Sequence, residues 1–497
     1  MRTTRFHSLS LATIAAAGFA MGCTSEKVVY RSGTDFAAPP AAAANFVGYY
    51  DATNKQTVCG SCHVDFQTRW SKTKHASAWA DLQASGSAAG YCAACHTVNN
   101  LGNFAKDTLV GYRTTKSDRY HDVQCESCHG AGLTHASGPN TSNRPLASIN
   151  ADTTITSGCG GCHTGTHNPF TSDWKKSGHS MTWETSHNST DPYCQGCHTG
   201  QGALTTWGVT DNYIEKNNTN GNTTNMLPAT CAVCHDPHGS DNDHQLRFPL
   251  NAPNLDNNLC IKCHQRRATV ADVLQPGNTR NSVHSPEGPT LLGNAGWFPP
   301  GMAASDSIIA THGTPSRNPK LCATCHVQSY SATDPATKQT VFYTGHRFLA
   351  TPCLGANGLP ADNQTCAITA QSFRTCVAGG CHASETAAKS AFTTAEARIN
   401  LLVGQANTLV TQAKAGPKKA ECTFSPSVAY TTCMGTQLNV SLATKAGSFV
   451  HNPFLIEQLL IASINQMKKD YNLTASASVD LTPQLTPPPN KASGGTR

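Results

Sequence analysis

Long amphipathic patterns are scarce in this chain and concentrate at its C-terminal end. Between Ala383 and Ala413 apolar residues stand at 388, 391/392, 395, 399, 402/403, 406 and 409/410. That spacing keeps them on one helical face, and Gly416-Pro417 stops it. Pro453–Tyr471 predicts a second helix, and the Pro-rich tail from Thr482 predicts disorder. Near the N-terminus, Leu9–Ala20 is apolar except for Ser10, Thr13 and Gly18 and follows the positive Met1–Arg5. It is too short to span a bilayer and has the form of an export signal. It ends in Ala20-Met21-Gly22-Cys23, a lipoprotein-type cleavage site that places a lipid anchor on Cys23. The competing reading is ordinary cleavage that leaves a spare thiol. No later stretch has eighteen uninterrupted apolar residues, so no transmembrane helix is expected after it.

Composition changes the picture, because 497 residues hold 23 cysteines and 22 histidines and only 13% are charged. Eight segments read Cys-x-x-Cys-His: Cys59, Cys62 and His63; Cys92, Cys95 and His96; Cys125, Cys128 and His129; Cys159, Cys162 and His163; Cys194, Cys197 and His198; Cys231, Cys234 and His235; Cys260, Cys263 and His264; Cys322, Cys325 and His326. This is the attachment signature of c-type haem. Two thiols add across the two vinyl groups of one porphyrin, and the next imidazole lies on its iron. Zinc sites pair distant Cys-x-x-Cys units and need no histidine at the following position, so eight such repeats exclude zinc. A ninth candidate, Cys376-Val-Ala-Gly-Gly-Cys381-His382, has a longer loop that its glycines allow to bulge. The expected content is nine covalent haems c, or eight if Cys376 and Cys381 are only a thiol pair beside an incidental histidine. Cys353, Cys366, Cys422 and Cys433 remain as candidates for local disulfides, with the pairing left open.

Seven motifs fall between Cys59 and His264, about 29 residues per haem. So little chain builds no conventional core. The expected fold is therefore mainly α with short motif-bearing helices, extensive loops, little β, and a core formed largely by stacked, covalently bound haems. The expected divisions are a signal (1–22), a lipidated flexible tether (23–57), a haem-dense region (58–270), a haem-sparse region with haems 8 and 9 (271–382), and a helical C-terminal region (383–497). Asp211–Thr224, rich in Asn and Thr, is expected to be a surface loop. A repeat lies over the motifs. Trp70-x4-His75-x3-Trp79 recurs as Trp174-x4-His179-x3-Trp183, and each leads to Tyr-Cys-x-x-Cys-His, at Tyr91 and Tyr193. The chain thus reads as a three-haem unit duplicated about 100 residues apart, with Cys260, Cys322 and Cys376 as a stretched third unit. The formal charge of +6 misleads. Haem propionates turn the mature protein to roughly −5 oxidised and −14 reduced. No basic cluster or aromatic platform points to nucleic acid.

Function turns on the sixth ligand of each iron. Histidines exceed the motifs, which fits bis-histidine, low-spin haems built for electron transfer. Candidate second ligands are His75 and His179, which repeat with their tryptophans; His238 in His235-Asp-Pro-His; His451 before the last helix; and His121, His135, His284, His312 and His346. His167, His187 and His244 are spares. The tryptophans read as packing rather than as electron relays.

The first 140 residues, with Trp70-x4-His75-Ala-x2-Trp79 and Asp122-Val-Gln-Cys-Glu-Ser-Cys-His-Gly-Ala-Gly-x2-His135, resemble the tetrahaem cytochrome c554 family, which is related to octahaem hydroxylamine oxidoreductases. The whole chain is similar to large multihaem cytochromes of respiring bacteria, including extracellular and filament-forming ones. Cys-x-x-Cys-Lys, the lysine-ligated catalytic motif of related nitrite and tetrathionate reductases, is absent. The reading is an electron carrier rather than a catalyst, with no catalytic residue assigned. It is exported to the outer membrane, cell surface or extracellular space and works between periplasmic or outer-membrane cytochromes and extracellular acceptors. One version is a homopolymer in which a subunit lends a histidine to its neighbour. The alternative is an oxidoreductase acting on a small nitrogen or sulfur compound at one open haem.

Overall fold

A computed structural model describes residues 36–147, 158–209, 226–302, 309–474 and 479–485. The export signal, Cys23 and Asp211–Thr224 lie outside the described residues. Among those described, no helix before residue 383 is longer than seven residues. Strand is confined to two small antiparallel pairs: β1 (Tyr49–Asp51) with β2 (Gln56–Thr57), and β3 (Tyr330–Thr333) with β4 (Thr340–Tyr343). The mainly α, loop-rich fold expected from the motif density is the one found.

In the haem-dense part, polar side chains do the work that a large apolar core does elsewhere. The buried Asp122 carboxylate accepts from the Tyr49 hydroxyl at 3.0 Å and from the Trp79 amide at 2.8 Å. Glu126, inside the Cys125 motif, accepts from the amides of Val47, Gly48 and Gly132 at 2.7–2.9 Å. The expected tether is corrected here. Residues 43–49 are packed rather than flexible, with Ala43, Phe46 and Val47 buried and Phe46 joining Val98, Val110 and Tyr120 in a small apolar cluster.

The sequence repeat is also a structural one. Trp70 Nε1 donates to Val123 O and Trp174 Nε1 to Ala229 O, each at 2.9 Å. Both tryptophans therefore tie the segment ahead of His75 or His179 to the loop entering a later motif.

The C-terminal region departs from the expected haem-built core. Helices Glu385–Ala415, Thr432–Ala443 and Pro453–Tyr471 form a bundle around an apolar interior that includes Ile399, Leu402, Leu409, Leu438, Leu455 and Leu459 and is shared with Ala268, Val273, Val283 and Ala295. The first helix is capped by Ser384 Oγ, which accepts from Ala387 N, and ends at Gly416 as the pattern predicts. The third begins with Pro453 at its first turn and Asn452 as cap, and closes on a left-handed Asn472. Disulfides Cys353–Cys366 and Cys422–Cys433 are formed, the latter clamping the turn into the second bundle helix.

The tail is a second correction. Buried Arg398 and Glu457 pair at 2.7 Å across the bundle. Arg398 also donates to Asp480 O and Thr482 O, while Glu457 accepts from the amides of Gln484 and Leu485. The described part of the expected disordered tail is therefore fixed to the bundle.

Candidate haem sites

The sites are numbered 1 to 9 by their motif histidines: His63, His96, His129, His163, His198, His235, His264, His326 and His382. Each motif lies on a tight turn or short helix. In sites 1, 2, 4, 6 and 7 the histidine amide donates to the carbonyl of the first cysteine at 2.9–3.2 Å. Site 9 keeps the same closure over its longer loop, His382 N to Cys376 O at 3.1 Å, with Gly380 at φ +76° taking up the extra residues. None of the eighteen motif cysteines forms a disulfide.

Eight of the nine motif imidazoles face a second imidazole. The pairs are His63 with His135 (6.3 Å between ring centres), His129 with His238 (6.2 Å), His163 with His75 (6.1 Å) and His198 with His284 (6.0 Å). The others are His235 with His346 (6.2 Å), His264 with His179 (6.3 Å), His326 with His451 (6.3 Å) and His382 with His312 (6.3 Å). Direct stacking would bring the rings closer. A metal held end-on by two imidazoles at about 2 Å each sets their centres about 6 Å apart once the nitrogen-to-centre distance in each ring is added. The uniform gap therefore fits one iron between each pair.

The outer nitrogens point the same way. His96 Nδ1 lies 2.9 Å from Ala78 O, His129 Nδ1 2.6 Å from Pro145 O, His198 Nδ1 2.9 Å from Thr182 O and His235 Nδ1 2.7 Å from His244 O. His326 Nδ1 lies 2.9 Å from Phe348 O, and His312 Nδ1 2.8 Å from Val450 O. An N–H donated outward at Nδ1 leaves the Nε2 lone pair for a metal and fixes the ring plane. Burial pushes His75, His179, His346 and His451 down to about 4, which keeps them neutral, as ligation requires.

The expectation is not met at His121. Its Nε2 sits 3.3 Å from Asp118 Oδ1 and its ring packs on Tyr112 and Trp79, so it faces no motif histidine. Site 2 is accordingly the one site with no imidazole opposite its motif histidine among the described residues. His167, His187 and His244 face no motif histidine and are exposed.

A single cavity of about 3410 Å³ runs past both cysteines and the histidine of sites 5 to 9, several times the size of an ordinary ligand pocket. No three His, Cys, Asp or Glu side chains among the described residues gather into a compact metal cage. The donor set fits porphyrins rather than bare ions. Sequence reasoning missed three phenylalanines, Phe66, Phe170 and Phe348, that lie against these imidazoles. A signal existed for two of them, since Phe66-x3-Trp70 and Phe170-x3-Trp174 extend the repeat by one turn.

Parts of the chain are similar to known proteins. The cytochrome c554 and c-prime family model matches residues 58–130, and a doubled CXXCH motif model matches residues 227–269. The chain is a multihaem c-type cytochrome carrying covalent haem c. It is 27% identical over 163 residues to the multiheme cytochrome MtrA of Shewanella baltica (strain OS185), a match that takes in 29% of this chain and 43% of that relative. The crystal structure of the outer cell wall cytochrome OcwA aligns over 76% of this chain and 75% of its own at 18% identity, with a TM-score of 0.47.

Proposed function

We propose that this cytochrome carries nine haems and conducts electrons through them between a cell-envelope donor and an acceptor at or beyond the outer surface. The observation that carries the reading is the set of eight imidazole pairs 6.0–6.3 Å apart. Haem iron closed by two histidines exchanges single electrons without binding substrate. The chain's own contribution is to fix those rings opposite one another. Export is supported by the run Leu9–Ala20, with Cys23 as the lipid anchor.

Site 2 favours a second reading. With His121 held by Asp118, its iron keeps an open face, the condition for chemistry on a small nitrogen or sulfur compound. A polymer closes the same face differently, with a neighbour lending one of the exposed His167, His187 or His244.

Electron paramagnetic resonance of the ferric holoprotein, with carbon monoxide added to the reduced form, tests these readings together. Eight low-spin haems and one high-spin haem that binds carbon monoxide are expected of the monomer. Loss of the high-spin signal on assembly marks the polymer. Several open haems would sink the conduit reading.

A further inference from the structure

We infer that the nine haem sites form a branched line rather than a single file: sites 1, 3, 4, 6, 7, 8 and 9 in series, with site 2 attached at site 4 and site 5 attached at site 7. The inference rests on the nine-haem reading and follows from which ligand sets touch.

Along the line, phenylalanines bridge successive sites. The Phe66 ring is 6.1 Å from His63 of site 1 and 4.5 Å from His238, the ring facing site 3. Phe170 is 5.7 Å from His163 of site 4 and 4.8 Å from His346, which faces site 6. Phe348 is 5.7 Å from His346 and 4.3 Å from His179, which faces site 7, while its carbonyl holds His326 of site 8. Between sites 3 and 4, Gly158 N donates to Gly102 O, and a Cβ at Gly102 would fall 2.6 Å from Ser127 O inside the site 3 motif. At the far end His312, facing site 9, is held by Val450 O, one residue before His451 of site 8.

The motif cysteines repeat this order. Cys59 touches Cys125 (sites 1 and 3), Cys159 touches Cys231 (sites 4 and 6) and Cys260 touches Cys322 (sites 7 and 8). Cys128 lies near Cys159, Cys234 near Cys260, and Cys325 near both Cys376 and Cys381. The side sites contact the line once each, Cys95 against Cys162 and Cys197 against Cys263. Sites 4 and 7 are thus three-way junctions.

The sequence repeat explains the branching. Sites 1 to 4 superpose in pattern on sites 4 to 7: the repeated His75 and His179 face the two junctions, and the repeated Tyr-Cys-x-x-Cys-His carries the two side sites. Site 4 ends one copy and begins the next. No motif lies between Cys263 and Cys322, so the third stretch continues the line without a branch. Among the eighteen motif cysteines only Cys62 and Cys381 are exposed, and they belong to sites 1 and 9, the two ends. Each transfer along the line oxidises one iron and reduces its neighbour, so electrons supplied by a partner at one end are delivered at the other.

Crystals of the holoprotein measured at the iron absorption edge locate every iron directly. The irons on His163 and His264 are expected to have three near neighbours each, those on His96 and His198 one each, and those on His63 and His382 one each. Nine irons in single file, or side irons placed within the line, would overturn the order. Eight irons would instead overturn the nine-haem count while still testing the branches. A second arm uses His312→Met, which gives site 9 a distinct methionine-ligated spectrum, and photoreduction from a sensitiser attached beside site 1. Removing site 6 (C231A/C234A) should slow the reduction of site 9 by more than an order of magnitude, and an unchanged rate would also overturn the order.

Discussion

Single residues decide whether a site closes. Gly447 stands at φ +80°, where a side chain is strained by roughly 1–2 kcal/mol, and a Cβ there would meet His451 Cε1 at 3.1 Å. G447A is therefore expected to push His451 off its facing position and create a high-spin fraction at site 8, read by paramagnetic resonance of the ferric protein. Glu126 is as exacting. Its two oxygens accept from three amides, so Glu126→Gln puts an amide donor against an N–H and should cost about 2 kcal/mol. Thermal unfolding and faster proteolysis before residue 58 would record it, and an unchanged midpoint would refute the role. The motif spacing stands out in the sequence because covalent haem attachment dictates it. His121 was misread because its rival contact, Asp118, is only three residues away and carries no ligand signature.

At the level of elements, legibility followed the source of each element's stability. The helices Glu385–Ala415 and Pro453–Tyr471 are held by apolar stripes, which leave a period in the sequence. The segments 43–49 and 479–485 are held by buried carboxylates and a guanidinium accepting from or donating to backbone, and such contacts leave none. Arg398 and Glu457 look like surface charges until the tail is seen lying on them. Arg398→Ala strands Glu457 in the bundle interior and should destabilise it by about 3–5 kcal/mol, releasing residues 479–485 to protease. The conservative Arg398→Lys should rescue only part of this, since one ammonium cannot reach both the carboxylate and two carbonyls.

The whole molecule divides by what fills it. The bundle and residues 268–302 share an apolar interior, whereas the motifs of sites 5 to 9 line a cavity that Phe392 and Phe454 of the bundle also border. Protein made without haem attachment is therefore expected to yield a protease-resistant core of the bundle with residues 268–302 retained on it, while the motif-dense residues before 260 are digested. A fully resistant apoprotein would contradict a haem-built core. Holoprotein mass should show nine haems, falling to eight in C376A/C381A. The duplication was visible as a spacing of tryptophans and motifs, but not the sharing of site 4, because three-dimensional adjacency between Cys59 and Cys125 or Cys159 and Cys231 has no trace in linear spacing.

The direction in which the facing histidines lie along the chain sets a timetable for assembly. His75, His179 and His312 precede the motifs they face, so sites 4, 7 and 9 have both rings in hand as soon as their motifs are made. His135, His238, His284, His346 and His451 follow theirs, by as much as the 125 residues between His326 and His451. Sites 1, 3, 5, 6 and 8 must wait, half-liganded, for later chain. Until its last helices arrive, the maturing protein is thus expected to hold several half-liganded sites at once.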